Sequence, residues 1–258
     1  MSASRTARIL DDVATSDVAS RAVLAGGVAS RDVLPGEVLA GHDVLVGNDV
    51  VDLDEPEARD AHRRERFVRR VLSEGERALL AASLDPRTLL WSLFAAKEAA
   101  YKVATKLGPP RPFAHRELLV AADLRSVRVG GVALSLRVDA LPGVVHAVAS
   151  SSSGEALAVV AALEPSADPS AAVRALARRT LAVTLACPES ELAIVRDPLE
   201  GSWDGFGPPR VERGGSPLAL DVSLSHDGRF VAFAWSPFPG APRRAAALRA
   251  SSRANPSR

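Results

Sequence analysis

The sequence predicts an α+β protein of two pseudo-symmetric halves, each a long helix packed on a small, mainly antiparallel sheet. Three observations predict it. Short apolar runs bounded by turn residues alternate with longer helical stretches. The pattern restarts after Glu164-Pro165. Finally, Ser151-Ser152-Ser153-Gly154 followed by EALAVVAA can be laid on Ser225-His226-Asp227-Gly228 followed by RFVAFAWS, at an offset of 74 residues.

Along the chain, residues 1–40 are rich in Ala, Val, Ser and Arg without a sustained period, and read as a disordered extension or an early start. The first half, 41–165, opens on an apolar run at 44–53 broken by Gly47, Asn48 and Asp49. That reads as a buried strand with polar groups where it approaches something. A helix is expected over 59–84. After the turn Asp85-Pro86-Arg87, Thr88 is the expected N-cap of a helix that reaches Leu107 and stops at Gly108-Pro109-Pro110. Strands are expected at 117–122, 126–129, 132–138 and 156–163. The second half, 166–240, carries an amphipathic helix at 171–186, a strand at 192–195, a Gly/Pro-rich loop at 198–209 and strands at 219–224 and 229–235. Residues 241–258 contain Arg, Ala, Ser and Pro without an aromatic residue and read as a disordered tail.

With 258 residues, 47% of them hydrophobic, the chain has apolar material for a real core. A net charge of +1 gives no strong pull toward nucleic acid or an anionic membrane. The absence of an aromatic-basic patch also disfavours a nucleic-acid binder. The single cysteine, Cys187, excludes an internal disulfide framework and suits a reducing cytoplasm. No run approaches the ~20 apolar residues of a membrane span, and Asp11, Asp12 and Asp17 stand where an export signal needs an apolar core.

Of 32 basic residues only Lys97, Lys102 and Lys106 are lysines, and they fall within ten positions. A compact ammonium suits phosphate oxygens; a solvated helix face is the bland alternative. At about 100° per residue, Glu98, Lys102 and Thr105 share one stripe among apolar neighbours, as an internal site requires. An ordinary Glu98–Lys102 pair on a wet surface is the competing reading. Asp49 either caps a turn or, with Glu98, offers the hard oxygen donors that Mg²⁺ prefers. His226 leaves a strand with Ser225 at its mouth.

These pieces resemble the 4′-phosphopantetheinyl transferase superfamily, of the holo-acyl-carrier-protein synthase type. The Gly-x-Asp motif appears as Gly47-Asn48-Asp49. Phe-x-x-Arg-x-Leu-Ser-x-x-Glu appears as Phe67, Arg70, Leu72, Ser73 and Glu76. Trp91, Lys97, Glu98 and Lys102 carry the Lys-Glu signature, and Ser225-His226-Asp227-Gly228 the Ser-His element. The resemblance implies transfer of 4′-phosphopantetheine from coenzyme A to a serine of an apo acyl or peptidyl carrier protein, with release of 3′,5′-ADP. It implies Mg²⁺ on Asp49 and Glu98, catalysis by Glu98 and Lys102, and coenzyme binding by Lys97, Lys102, Ser225 and His226. Arg210 and Arg174 are the candidate basic residues of the second half. The carrier is expected to present an acidic surface, with Arg63, Arg64, Arg66 and Arg69 as a possible dock.

Two departures stand out. A third metal carboxylate, two residues after the motif Asp in two-domain members, is replaced by Val51, while Asp52 is expected on the other side of the strand. The Ser-His element also follows Gly-x-Asp by 177 residues, where two-domain members place it first. The two halves are therefore expected in exchanged order, with the site between them and a monomer sufficient. A metal-dependent phosphoesterase and an inactive relative that binds coenzyme A or a carrier are the alternatives.

Overall fold

The computed structural model describes residues 22–24, 44–108, 114–152, 156–163, 167–202 and 204–236. Most of the 1–40 extension, the tail 241–258 and Ser153-Gly154 of the repeated turn lie outside them. In chain order the elements are β1 (Ala22–Leu24), β2 (Val46–Asp52), α1 (Pro56–Arg59), α2 (Glu65–Val71), α3 (Glu74–Ala82) and α4 (Pro86–Leu107). Then come β3 (Leu119–Val120), β4 (Ser126–Val129), β5 (Val132–Leu141), β6 (Val144–Ser150) and β7 (Leu157–Ala162). The remainder are α5 (Pro169–Leu185), β8 (Leu192–Val195), β9 (Arg210–Arg213), β10 (Ser216–Asp227) and β11 (Phe230–Trp235). No helix among the described residues is long and apolar enough to cross a membrane.

The fold is α+β and twofold in plan. One sheet runs β2-β6-β5-β4-β3, and the other runs β7-β11-β10-β9-β8 with β1 added outside β7. Each half is a strand, a long helix and four further strands, the last pairing antiparallel with the first. Strand pairing thus puts β7, expected at the end of the first half, into the second sheet. The repeat seen in the sequence is also not this twofold. It lays β7 on β11, which are antiparallel neighbours in one sheet, whereas the topology matches β7 with β2 and β11 with β6.

Strand alternation explains the layers. Val51 of β2 and Leu53 just after it, with Val145, Ala147 and Ala149 of β6, bury against α4. Val159, Ala161, Val231, Phe233 and Trp235 bury against α5. The opposite faces meet one another: Val46 and Val148 against Ala158 and Ala234, and Val50 and Val144 against Val160 and Ala232. The order is helix, sheet, sheet, helix.

Several local expectations are corrected. The helix expected over 59–84 is α1, a 3₁₀ turn, α2 and α3. Leu72 is extended, and Ser73 starts α3 with a capping box: its hydroxyl accepts from the N–H of Glu76, whose carboxylate accepts from the N–H of Ser73. The cap of α4 is Asp85, which accepts from the N–H of Thr88; Thr88 lies inside the helix. β6 was not expected because it is buried along its whole length, so its apolar residues do not alternate with polar ones. β9 was not expected either, and β10 is longer than the strand expected at 219–224.

Candidate active site

β2 lies against α4 because residue 47 has no side chain. A Cβ there would stand 2.0 Å from the carbonyl oxygen of Ala99. This contact brings Asp49, on the α4 face of β2, to Glu98 on α4. Both line a cavity of about 460 Å³, together with Val51, Glu55, Glu57, Trp91, Phe94, His226 and Asp227. The cavity draws on both halves: Asp49 and Glu98 come from the first, His226 and Asp227 from the β10–β11 hairpin of the second. Gly228 makes that hairpin possible at φ 48°, where a Cβ would meet Oδ2 of Asp52 at 2.5 Å.

The chemistry of the cavity is that of clustered carboxylates. Burial pushes Asp49 up to about 6; the Lys102 ammonium opposes this and the Glu98 charge adds to it. Nζ of Lys102 donates to Oδ1 of Asp49 at 3.0 Å and to the carbonyl of Asn48 at 2.8 Å. Burial likewise raises Asp227. Among the described residues no three His, Cys, Asp or Glu side chains are grouped to hold a metal ion by themselves. Two nearby carboxylates with excess negative charge nevertheless fit a hard divalent cation that completes its shell with water and phosphate oxygens. Val51 is apolar wall, 4% exposed, and supplies no third ligand. Asp52 faces the second half, as its parity requires, where Arg229 holds it.

Trp91 and Phe94 meet edge to face at 5.2 Å, with Phe67 beside both, and form the apolar end of the cavity. His115 stacks on Phe94 at 5.3 Å, and its Nε2 lies 3.3 Å from Oε1 of Glu98. Sequence reasoning missed His115, Glu55, Glu57 and the role of Asp227. Asp227 sits inside the Ser-His element and the two glutamates directly follow the β2 strand, so proximity to motifs was their only signal.

Four expected site residues are placed elsewhere. Lys97 is fully buried. Its ammonium donates to Oε2 of Glu76 at 2.6 Å and to the carbonyls of Val71 and His115, which uses its three hydrogens. It faces α2 and α3 and does not line the cavity. Ser225 is buried between the halves, accepting from Nδ2 of Asn48 at 3.0 Å. Arg210 is committed to Asp197 and Glu212 on the second sheet. Arg174 bonds the carbonyl of Ser170 within α5.

The seam between the halves explains the other lysines. β2 is an edge strand, and its outward backbone groups are met by side chains. The N–H groups of Val46, Asn48 and Asp52 donate to Asp221, Ser223 and Asp227 of β10. The carbonyls of Val46 and Asn48 accept from Lys106 and Lys102. Lys106, 5% exposed, also binds Asp221 at 2.8 Å and the carbonyl of Val222. An edge that would otherwise invite a foreign strand is thus closed. His146, buried beside Asn48, is pushed down to about 3 by burial and by the charges of Arg137 and Lys102; its imidazole is neutral.

Residues 45–127 match the family model of the 4′-phosphopantetheinyl transferase superfamily, the family that the motifs resemble. The chain is 40% identical over 73 residues to a holo-[acyl-carrier-protein] synthase of Shewanella sp. (strain W3-18-1), and 37% identical over 73 residues to one of Shewanella baltica (strain OS185). Each match covers 28% of this chain and 58% of the relative, so the chain spans less than two thirds of the relatives' length. A solved holo-[acyl-carrier-protein] synthase from Thermotoga maritima is 16% identical, with a TM-score of 0.30 over 67% of this chain and 83% of that one.

Proposed function

We propose that the protein transfers 4′-phosphopantetheine from coenzyme A to a serine of an apo acyl or peptidyl carrier protein, releasing 3′,5′-ADP, a reading supported by the match of residues 45–127 to the family model of the 4′-phosphopantetheinyl transferase superfamily. The observation that carries this reading is the meeting of Asp49 and Glu98 in one cavity that His226 and Asp227 of the other half also line.

Asp49 and Glu98 would hold Mg²⁺, whose chemistry is to neutralise charge developing on the coenzyme pyrophosphate. Lys102, already 3.0 Å from Asp49 and 31% exposed on its side chain, would turn one hydrogen bond to that pyrophosphate. His226, exposed at the rim, would bind a coenzyme phosphate from the second half. Glu98 would take the proton of the attacking serine hydroxyl as the new serine O–P bond forms and the bond to the leaving phosphate breaks. The aromatic end at Trp91 and Phe94 would exclude water. Both walls come from one chain, which supports action as a monomer, with the halves in exchanged order.

Intact-mass analysis tests the proposal. Candidate apo-carriers incubated with coenzyme A, Mg²⁺ and the protein should gain one phosphopantetheine each, with 3′,5′-ADP released only when a carrier is present. The Glu98→Gln protein should give no gain. Carriers from fatty-acid, polyketide and peptide synthesis that all stay unmodified would overturn it, and 3′,5′-ADP release without a carrier would point to a phosphoesterase.

A further inference from the structure

His115 stands at the convergence of three contacts that the proposed reaction leaves unused. Its ring stacks on Phe94 with an interplanar angle of 29°. Its carbonyl accepts from the fully buried ammonium of Lys97 at 2.9 Å. Its Nε2 lies 3.3 Å from Oε1 of Glu98, the two side chains being 18% and 24% exposed. The stack fixes the ring plane and Lys97 fixes the main chain that carries it. Lys97 is in turn fixed by Glu76, whose other oxygen accepts from the N–H of Val120. The imidazole is therefore built into place beside Glu98.

We propose that His115 is a positioning residue for Glu98: its Nε2–H engages one carboxylate oxygen and turns the other into the cavity, toward a divalent cation or the attacking hydroxyl. A carboxylate accepts only, so the ring nitrogen is the donor and Nε2 carries the hydrogen. At 3.3 Å the two groups form an ion-pair contact without hydrogen-bond alignment; catalytic contacts of this kind align and tighten when the ligand arrives. An outer-shell donor of this sort fixes the ligand's orientation, and its loss typically costs 10–100-fold in metal affinity or activity. Lys97 then serves the site from two steps away, through the main chain of His115. This inference rests on the proposed cation-binding role of Glu98.

Two variants separate donor from packing. His115→Phe keeps a ring against Phe94 and removes the donor; His115→Gln keeps a donor. Free Mn²⁺ is followed by electron paramagnetic resonance on the intact protein without coenzyme, and transfer kinetics are measured alongside. Relative to wild type, His115→Phe should weaken Mn²⁺ binding about 10–100-fold and lower kcat, leaving the KM for carrier protein and the melting temperature unchanged. His115→Gln should recover most of both losses. Wild-type Mn²⁺ affinity in His115→Phe would overturn the assignment. So would equal losses in the two variants with a lowered melting temperature, or a wild-type protein that binds no Mn²⁺. A wild type that binds Mn²⁺ with this dependence yet modifies no carrier would instead refute the transferase reading alone.

Discussion

Replacing Gly47 by alanine would drive a methyl group into the backbone of α4. The added Cβ would stand 2.0 Å from the oxygen and 3.0 Å from the carbon of the Ala99 carbonyl, and 3.1 Å from Cγ2 of Val103. Since real Cβ atoms keep at least 3.0 Å from such neighbours, β2 and α4 must part by 3.0 − 2.0 = 1.0 Å or more. The obstacle is main chain, which cannot rotate aside, so the cost falls at the upper end for overpacking, about 3 kcal/mol. Asp49 and Glu98 ride on the two elements being separated, and a displacement of about 1 Å can cost on the order of 100-fold in rate. The control is Gly75→Ala. Gly75 is exposed inside α3 with nothing within 4 Å of an added Cβ, so alanine there should stabilise by about 0.5–1 kcal/mol. Urea denaturation of both variants reads the two signs, and transfer rates read the second effect. A Gly47→Ala protein with wild-type midpoint and rate would refute the close-approach reasoning.

Three further predictions follow from the same geometry. Asp49 titrates near 6 in the fold against 3.8 for its ordinary value, so the folded protein keeps a proton that the unfolded chain releases. Its contribution to stability is complete below pH 3.8 and is lost as the pH rises to about 6, by about 3 kcal/mol (2.2 × 1.36). Urea midpoints in chelator across that window should show a decline that Asp49→Asn flattens. Lys97→Ala leaves Glu76 buried without its cation and should cost about 3–5 kcal/mol. Lys97→Met with Glu76→Gln should cost less than Lys97→Ala by calorimetry, and a raised KM for coenzyme A in the folded double variant would restore a coenzyme role for Lys97. Arg229→Ala deprives the buried Asp52 of its guanidinium and should lower stability by about 1–3 kcal/mol, measured by thermal melting; an unchanged melt would mean that water replaces the arginine fully.

What the sequence made legible was local. The polar interruption Gly47-Asn48-Asp49 in an apolar run located both the close approach and the carboxylate, and the stripe on α4 located Glu98 and Lys102. The parity argument placed Asp52 on the far side correctly. What stayed hidden depended on partners distant in the chain. Lys97 is adjacent to Glu98, yet a rotation of one residue, about 100°, points it at Glu76 and not at the cavity. Ser225 reads as a residue of the strand mouth until Asn48, 177 positions away, is found against it. His115 carries no periodic signal because it sits in a 3₁₀ turn. β6, buried on both faces, lacks the alternation by which half-exposed strands are recognised.

The closure of β2 by β10 has a consequence for synthesis. Val46, Asn48 and Asp52 donate to side chains 175 residues further along, so the strand bearing Asp49 leaves the ribosome long before its partners exist. Until β10 arrives, the nascent chain presents an open strand edge beside an unburied face of Val46, Val50, Val144 and Val148. This is a stage at which another polypeptide could pair with it. The last-made part of the fold completes the first-made part of the site, so a message truncated before residue 221 would yield a sticky fragment.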